Sequence, residues 1–220
     1  MTQEQRDANA DVFWNRLAEE YARKPVGDPA GFERKIAATR SRIEPDDVIL
    51  DIGCGTGSLA LRLAPGAGHV HGLDLSREMI RIAKTKARDQ AVDNVTFHVG
   101  AFDDSFTVFA AGGLDGVCAY SLLHLVEDLP AVLAQIHRSL KPGGFFVSST
   151  VCLGEGWVPY GPLLTVMRWL GKAPMVKILS KRTLEAALVA AGFVDVSQPD
   201  VGAKPSIAFF VARKQGGPAQ

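Results

Sequence analysis

The sequence predicts an α/β fold: a mostly parallel, seven-stranded sheet, doubly wound with helices on both faces, with one antiparallel strand near the C-terminus. Three observations predict it. Apolar runs of strand length alternate with amphipathic runs of helix length from residue 48 to residue 151. A glycine-rich turn joins the first strand to a helix. The last two strand-like runs, 194–197 and 207–212, have only a loop between them, a hairpin-like return that sets one strand against the others.

The elements follow in order. Residues 7–21 form an amphipathic helix in which Phe13, Leu17 and Tyr21 recur every fourth residue, with Trp14 beside them. Pro25, Gly27, Asp28 and Pro29 break it. A second helix, 30–41, carries Phe32 and Ile36 on one side, and Pro45, Asp46 and Asp47 make a turn. Strand 48–52, helix 59–63 and strand 69–73 come next. Helix 76–89 has Met79, Ile80, Ala83 and Ala87 on one face, with Ser76 and Met79 at capping distance. Strands 95–99 and 114–120 follow, the second after the breaker Gly112-Gly113. Helix 129–140 has a stripe of Leu129, Val132, Leu133, Ile136 and Leu140. Lys141-Pro142-Gly143-Gly144 stops it before strand 145–151, and helix 183–191 ends at Gly192.

No internal repeat or linker separates two cores, so residues 1–220 are expected to form one domain. Residues 1–44 would be N-terminal cap helices and 214–220 a frayed tail. Residues 152–180 interrupt the alternation. They are apolar and aromatic, broken by Pro159, Pro162 and Pro174, with Leu163, Val166, Met167 and Leu170 on a short helical stripe. The segment follows the C-terminal end of a strand, where open α/β sheets bind ligands. It reads as an inserted lid or substrate wall, or as a helix packed on the core.

The chain has 220 residues, of which 47% are hydrophobic and 22% charged, with 24 basic against 24 acidic residues. Balanced charge argues against a general nucleic-acid binder and a polybasic membrane anchor, both of which need surplus Lys and Arg. The longest stretch without a charged residue, 142–154, is too short to span a bilayer. Cys54, Cys118 and Cys152 are odd in number and contain no CxxC pair, which suggests neither a disulfide framework nor a zinc site. The N-terminus has no apolar signal core, and a reducing, cytoplasmic setting is the expectation.

The chemistry is expected at the turn Asp51-x-Gly53-x-Gly55-x-Gly57, between a strand and a helix. Glycines let the backbone adopt angles barred to other residues and approach a ligand closely. Asp74, at the end of the next strand, can accept two hydrogen bonds from a ribose diol. A ligand carrying an ammonium group wants a carboxylate nearby, which Asp51 can supply; a turn or helix cap is its other reading.

These residues carry a family resemblance. VILDIGCGTGSLALRLA, from residue 48, resembles the first motif of the class I S-adenosylmethionine-dependent methyltransferases. HVHGLDLSREMIRIAK, from residue 69, resembles the second. NVTFHVGAFDD, from residue 94, sits where the third belongs. LDGVCAYSLLHLVEDLPAVLAQIHRSLKPGGFFVSS, from residue 114, resembles the fourth and the elements after it. The resemblance implies a single Rossmann-like domain that binds S-adenosylmethionine. Asp51, Gly53, Cys54, Gly55 and Gly57 would line its methionine end, with Tyr21 near the carboxylate. Asp74 would hold the ribose hydroxyls and Leu75 would lie against adenine. Met79 would pack near that ring or serve the core, and Tyr120 would border the cofactor. Many relatives have an acid after the third motif's glycine; here that position is Ala101, followed by Phe102, whose backbone and ring would serve instead.

Methyl transfer from a sulfonium is an in-line displacement for which the protein mainly supplies alignment, so the family has no fixed catalytic residue. His124, just past the fourth strand, is the candidate base; its other reading is a helix cap or a cofactor contact. His69 and His71 share a strand face at a metal-compatible spacing but lack an evident third ligand, so no metal is expected. The basic stretch 77–88 is interleaved with Glu78 and reads as a solvated helix face. The expected partner is a small-molecule methyl acceptor, uncharged or amphipathic, such as a quinone, a phenol or a lipid-like molecule. A nicotinamide-dependent oxidoreductase shares the strand–glycine–helix unit, but Ser58 at its third glycine position speaks against it. A non-catalytic cofactor-binding module stays open, as does the oligomeric state.

Overall fold

Seven strands hydrogen-bond into one sheet in the computed structural model, which describes residues 3–103, 106, 111–155 and 177–217. They are β1 (Val48–Ile52), β2 (His69–Asp74), β3 (Val95–Val99), β4 (Leu114–Tyr120), β5 (Leu140–Val151), β6 (Phe193–Ser197) and β7 (Ile207–Lys214). The order is β3-β2-β1-β4-β5-β7-β6. Strands β1 to β5 are parallel, and β7 runs antiparallel to both neighbours. The order reverses between β1 and β4, so the loops leaving them diverge and open a crevice beyond their C-terminal ends.

Helices α1 (Gln3–Arg23), α2 (Pro29–Arg40), α3 (Ser58–Leu63), α4 (Arg77–Asp89), α5 (Leu129–Ser139) and α6 (Lys181–Ala190) flank the sheet. Alternation along the strands builds two cores. Phe145 and Val147 of β5 join Ile36, Leu63, Ile80 and Ala83 under α2, α3 and α4. Phe146, between them in sequence, joins Leu133, Ile136, Leu184 and Leu188 under α5 and α6. Truncating a residue as buried as Leu133 to alanine would cost about 2–5 kcal/mol.

Helix α1 packs on α4 through Ala18, Met79 and Ile82, with Trp14 and Ala22 at the margin. Helix α2 starts on the Asp28 cap and is tied down at two places. Arg34 donates to the carbonyls of Val201 (2.7 Å) and Gly202 (3.2 Å). Tyr120 Oη lies 2.8 Å from Thr39 Oγ1 and donates to the Lys35 carbonyl at 3.2 Å.

Most bounds lie within two residues of the sequence expectation, and the differences that matter are these. Helix α1 is longer at both ends, because no breaker stands before Pro25. Lys141-Pro142-Gly143-Gly144 stops α5 but not the strand: Leu140 already pairs with Leu114, and a register shift by Gly116 absorbs the irregular stretch. Lys214, expected in the frayed tail, ends β7 and donates through Nζ to the Leu140 carbonyl at 2.7 Å. Of the expected insert, residues 156–176, with the stripe at Leu163 to Leu170, lie outside the described residues. At its stem, Gly154 N–H donates to the Leu179 carbonyl at 2.9 Å. No described helix is long and apolar enough to cross a membrane.

Candidate active site

The turn after β1 is held in shape by the end of β2. The backbone N–H groups of Gly53 and Cys54 both donate to the Leu73 carbonyl, at 2.7 and 3.0 Å. Gly53, Gly55 and Gly57 have φ of 66°, 52° and 76°, angles that strain any residue with a Cβ. At Gly57 a Cβ would also sit 2.8 Å from Phe97 Cζ and 3.0 Å from Ala83 Cβ, so this glycine lets α3 start against α4 and β3. At Gly55 the nearest atom to a Cβ would be Tyr21 Cε1, at 3.8 Å. The turn thus faces the ring that α1 lays over it, and Tyr21 keeps half of its surface exposed.

Two carboxylates meet beneath this turn. Asp74 Oδ2 accepts from Gly55 N–H and Oδ1 from Ser76 N–H, both at 2.9 Å. Ser76 caps α4 by accepting from Met79 N–H at 3.1 Å, and donates to Asn15 Oδ1 at 2.7 Å. Asn15 Oδ1 also accepts from Glu78 N–H at 3.1 Å, and its Nδ2 donates to Asp11. Asp51 is different: it is 1% exposed, and its Oδ2 has no hydrogen-bond partner among the described residues. Burial, and then the charge of Asp74, push its carboxyl up to about 8. Asp74 is raised by burial and by Asp11, while the Ser76 and Gly55 N–H groups pull it back. Burial and these same two carboxylates raise the Tyr21 phenol. A cation is the group such a site lacks.

The turn after β4 closes the other wall. Ser121, a non-glycine residue with φ of 54°, donates to the Ser149 carbonyl at 2.7 Å and re-aims the chain. A Cβ on Gly53 would fall 2.9 Å from Leu122 Cδ1, so the two turns touch. His124 follows, 9% exposed, with Nδ1 buried and unpartnered. Burial lowers its pKa to about 4, leaving a neutral ring with a free lone pair. Its carbonyl accepts from Lys177 N–H at 2.7 Å, where the described chain resumes after 156–176. On the adjacent β5, Ser148 Oγ and Thr150 Oγ1 are also buried without partners among the described residues.

The remaining expected residues divide. Leu75, Ala101 and Phe102 are half-buried, with the Phe102 ring 6.2 Å from that of Phe106. Met79 is 2% exposed inside the α1–α4 contact, as a core residue would be. The Tyr120 hydroxyl is committed to α2, so its contribution is to place that helix. The Cys54 thiol is buried and its pKa is raised by burial and by both carboxylates, which is the opposite of a nucleophile's environment.

Asp11, Asn15 and Thr39 were not foreseen in the sequence. The capping distance of Ser76 was the one local signal near them. His98 also joins His69 and His71: the His71 and His98 rings stack with Nδ1 and Nε2 3.1 Å apart, and His69 Nε2 lies 2.9 Å from Thr96 Oγ1. Among the described residues no group of three His, Cys, Asp or Glu is placed to hold a metal ion.

A family model described as a methyltransferase domain matches residues 43–186. The chain is 32% identical over 193 residues to a demethylmenaquinone methyltransferase of Lactococcus lactis subsp. lactis, a match covering 76% of this chain and 73% of the relative. It is 37% identical over 100 residues to the nocamycin O-methyltransferase of Saccharothrix syringae, covering 44% and 35% of the two chains. An S-adenosylmethionine-dependent methyltransferase from Mesorhizobium loti superposes with a TM-score of 0.68 at 24% identity, over 85% of this chain and 99% of the other. The chain spans 22% to 59% of the length of several other curated relatives that it matches.

Proposed function

The chain belongs to the methyltransferase-domain family, and from that premise we propose that it transfers a methyl group from S-adenosylmethionine to a small-molecule acceptor. The observation that carries the reading is the pair of carboxylates under the glycine turn, one of them with a buried, unpartnered oxygen. The cofactor has an ammonium group for Asp51. It has a ribose diol for Asp74, whose two oxygens each accept one backbone N–H and retain further acceptor capacity. Tyr21 covers the turn, Gly55 leaves room for close approach, and Leu75, Ala101 and Phe102 offer half-buried apolar surface to the base. Met79 and Tyr120 serve packing. Bound there, the cofactor supplies an electrophilic methyl group on a sulfonium.

His124 is assigned to the acceptor. With a pKa near 4, its ring cannot ionise a phenol of pKa near 10 beforehand. Six units correspond to about 8 kcal/mol. It can accept a hydrogen bond from the acceptor's O–H and so orient the oxygen. As the new O–C bond forms, that oxygen becomes strongly acidic, and proton transfer to even a weak base turns downhill.

The acceptor class proposed is uncharged or amphipathic: a phenol, or a quinone in its reduced quinol form, which has the O–H and the nucleophilic electron pair the step needs. The apolar composition of residues 152–180 supports it, as does the name of the demethylmenaquinone methyltransferase matched in sequence. Three buried free thiols suit a reducing, cytoplasmic setting. Calorimetric titration with S-adenosylhomocysteine should give saturable binding; none at millimolar ligand by a folded sample would overturn the cofactor. Labelled-methyl assays should mark quinols or phenols, and labelling confined to free amino acids would overturn the acceptor class.

A further inference from the structure

The two carboxylates under the glycine turn differ in one respect that bears on how a ligand enters. Each Asp74 oxygen accepts a backbone N–H, which favours the ionised form. Asp51 Oδ2 accepts nothing, and the side chain is sealed from water at 1% exposure. The groups that face Asp51 bring no cation, and one backbone N–H is all that favours its ionised form. From β2 comes Asp74, from α1 Tyr21, from the turn Cys54, and from β4 Cys118 and Tyr120. From α3 it meets only the Ala60 backbone N–H, and Asp11 adds a further acid beside Asp74. Burial keeps both thiols and both phenols neutral, and none of these groups is a cation. Two adjacent carboxylates in such a site cannot both ionise cheaply, and the one with fewer hydrogen bonds, whose Oδ2 has none among the described residues, keeps the proton.

Building on the cofactor reading above, we propose that ligand binding is proton-linked: Asp51 is a neutral carboxylic acid in the free protein and ionises when the cofactor's ammonium group is seated against it. The O–H bond of Asp51 breaks, its electron pair stays on the carboxylate, and the proton passes to the solvent buffer. The neutral acid and the ammonium ion become a carboxylate–ammonium pair plus one released proton. The raised pKa of Asp51 accords with this direction.

The test is calorimetry of S-adenosylhomocysteine binding to the intact protein at pH 7, in phosphate and in Tris, whose ionisation enthalpies differ widely. A group with a pKa near 8 should release about 0.9 proton per ligand at that pH. Affinity should strengthen by roughly tenfold per pH unit between 6 and 7.5. Binding with the same enthalpy in both buffers would overturn the proposal while leaving the cofactor reading intact. No binding in either buffer would overturn both. Asp51→Asn should abolish the release, and undiminished release from a folded, binding variant would also overturn the assignment. Should that variant not fold, the infrared difference spectrum of the wild-type protein decides: the protonated-carboxyl band should vanish on ligand addition, and its absence from the free protein would refute the idea.

Discussion

The two turns that touch at Gly53 and Leu122 are built on opposite electrostatic plans. The wall made by β1, β2 and α1 gathers carboxyl groups: Asp51, Asp74 and Asp11 act on one another, and the backbone is folded around one of them. The wall made by β4 and β5 offers uncharged groups: His124, Ser148 and Thr150 are buried, and their Nδ1, Oγ and Oγ1 atoms have no partner among the described residues. A charged wall selects its ligand by charge, which is demanding and leaves a compact sequence signature. A neutral wall selects by shape and by single hydrogen bonds, which many residue sets can do. The difference explains why one half of the reaction is easier to read than the other.

The sharpest way to break this comparison is His124→Ala. Methyl transfer should fall by about 10²–10⁴-fold, with affinity for S-adenosylhomocysteine unchanged. A matching loss of affinity, read by calorimetry, would merge the two walls into one site. Asp74→Ala comes next. Losing a charged acceptor should weaken cofactor binding by about 1.5–3 kcal/mol, roughly 10- to 150-fold, with little change in turnover at saturation. An unaltered dissociation constant in a folded variant would remove Asp74 from the charged wall.

The smallest effect concerns His71, which belongs to neither wall. Burial first, and then His69 and His98, hold its pKa down to about 4. The folded state therefore favours the neutral ring. The stability this confers is present above the unfolded pKa near 6.5 and is lost as pH falls towards 4. His71→Gln should reduce the drop in melting temperature between pH 7.5 and pH 5, and leave cofactor affinity at pH 7.5 untouched. An unchanged acid profile would show that the histidine stack carries no such linkage.

Much of the fold was legible because it is written locally. The bounds of β1, β3 and β4 agree with the sequence expectation to the residue, since each is an apolar run between clear breakers. The start of β5 was not, because Pro142 and two glycines end a helix without preventing an extended chain from pairing. Asp51 and Asp74 were legible because each sits at or near a strand's end beside glycines. Asn15 and Asp11 were not, because they reach the site across the α1–α4 contact, which no local pattern announces. His98 escaped notice for the same reason: it meets His71 only through the parallel register that sets Leu73 opposite His98. Tyr120 was expected to border the cofactor; that its hydroxyl bonds α2 was not legible, since side-chain direction at a strand end depends on which helix covers it.

The stem where Gly154 donates to Leu179 has a consequence for how such a chain can change over generations. The two ends of the intervening stretch are clasped by their own backbone, one N–H to one carbonyl, so the clasp itself asks nothing of the side chains at Gly154 and Leu179 beyond room to approach. The glycine turn is the opposite case: a single added atom at Gly57 would meet Phe97 and Ala83 at 2.8 and 3.0 Å. Sequence drift is therefore held far more tightly at the turn than a backbone clasp requires at the stem.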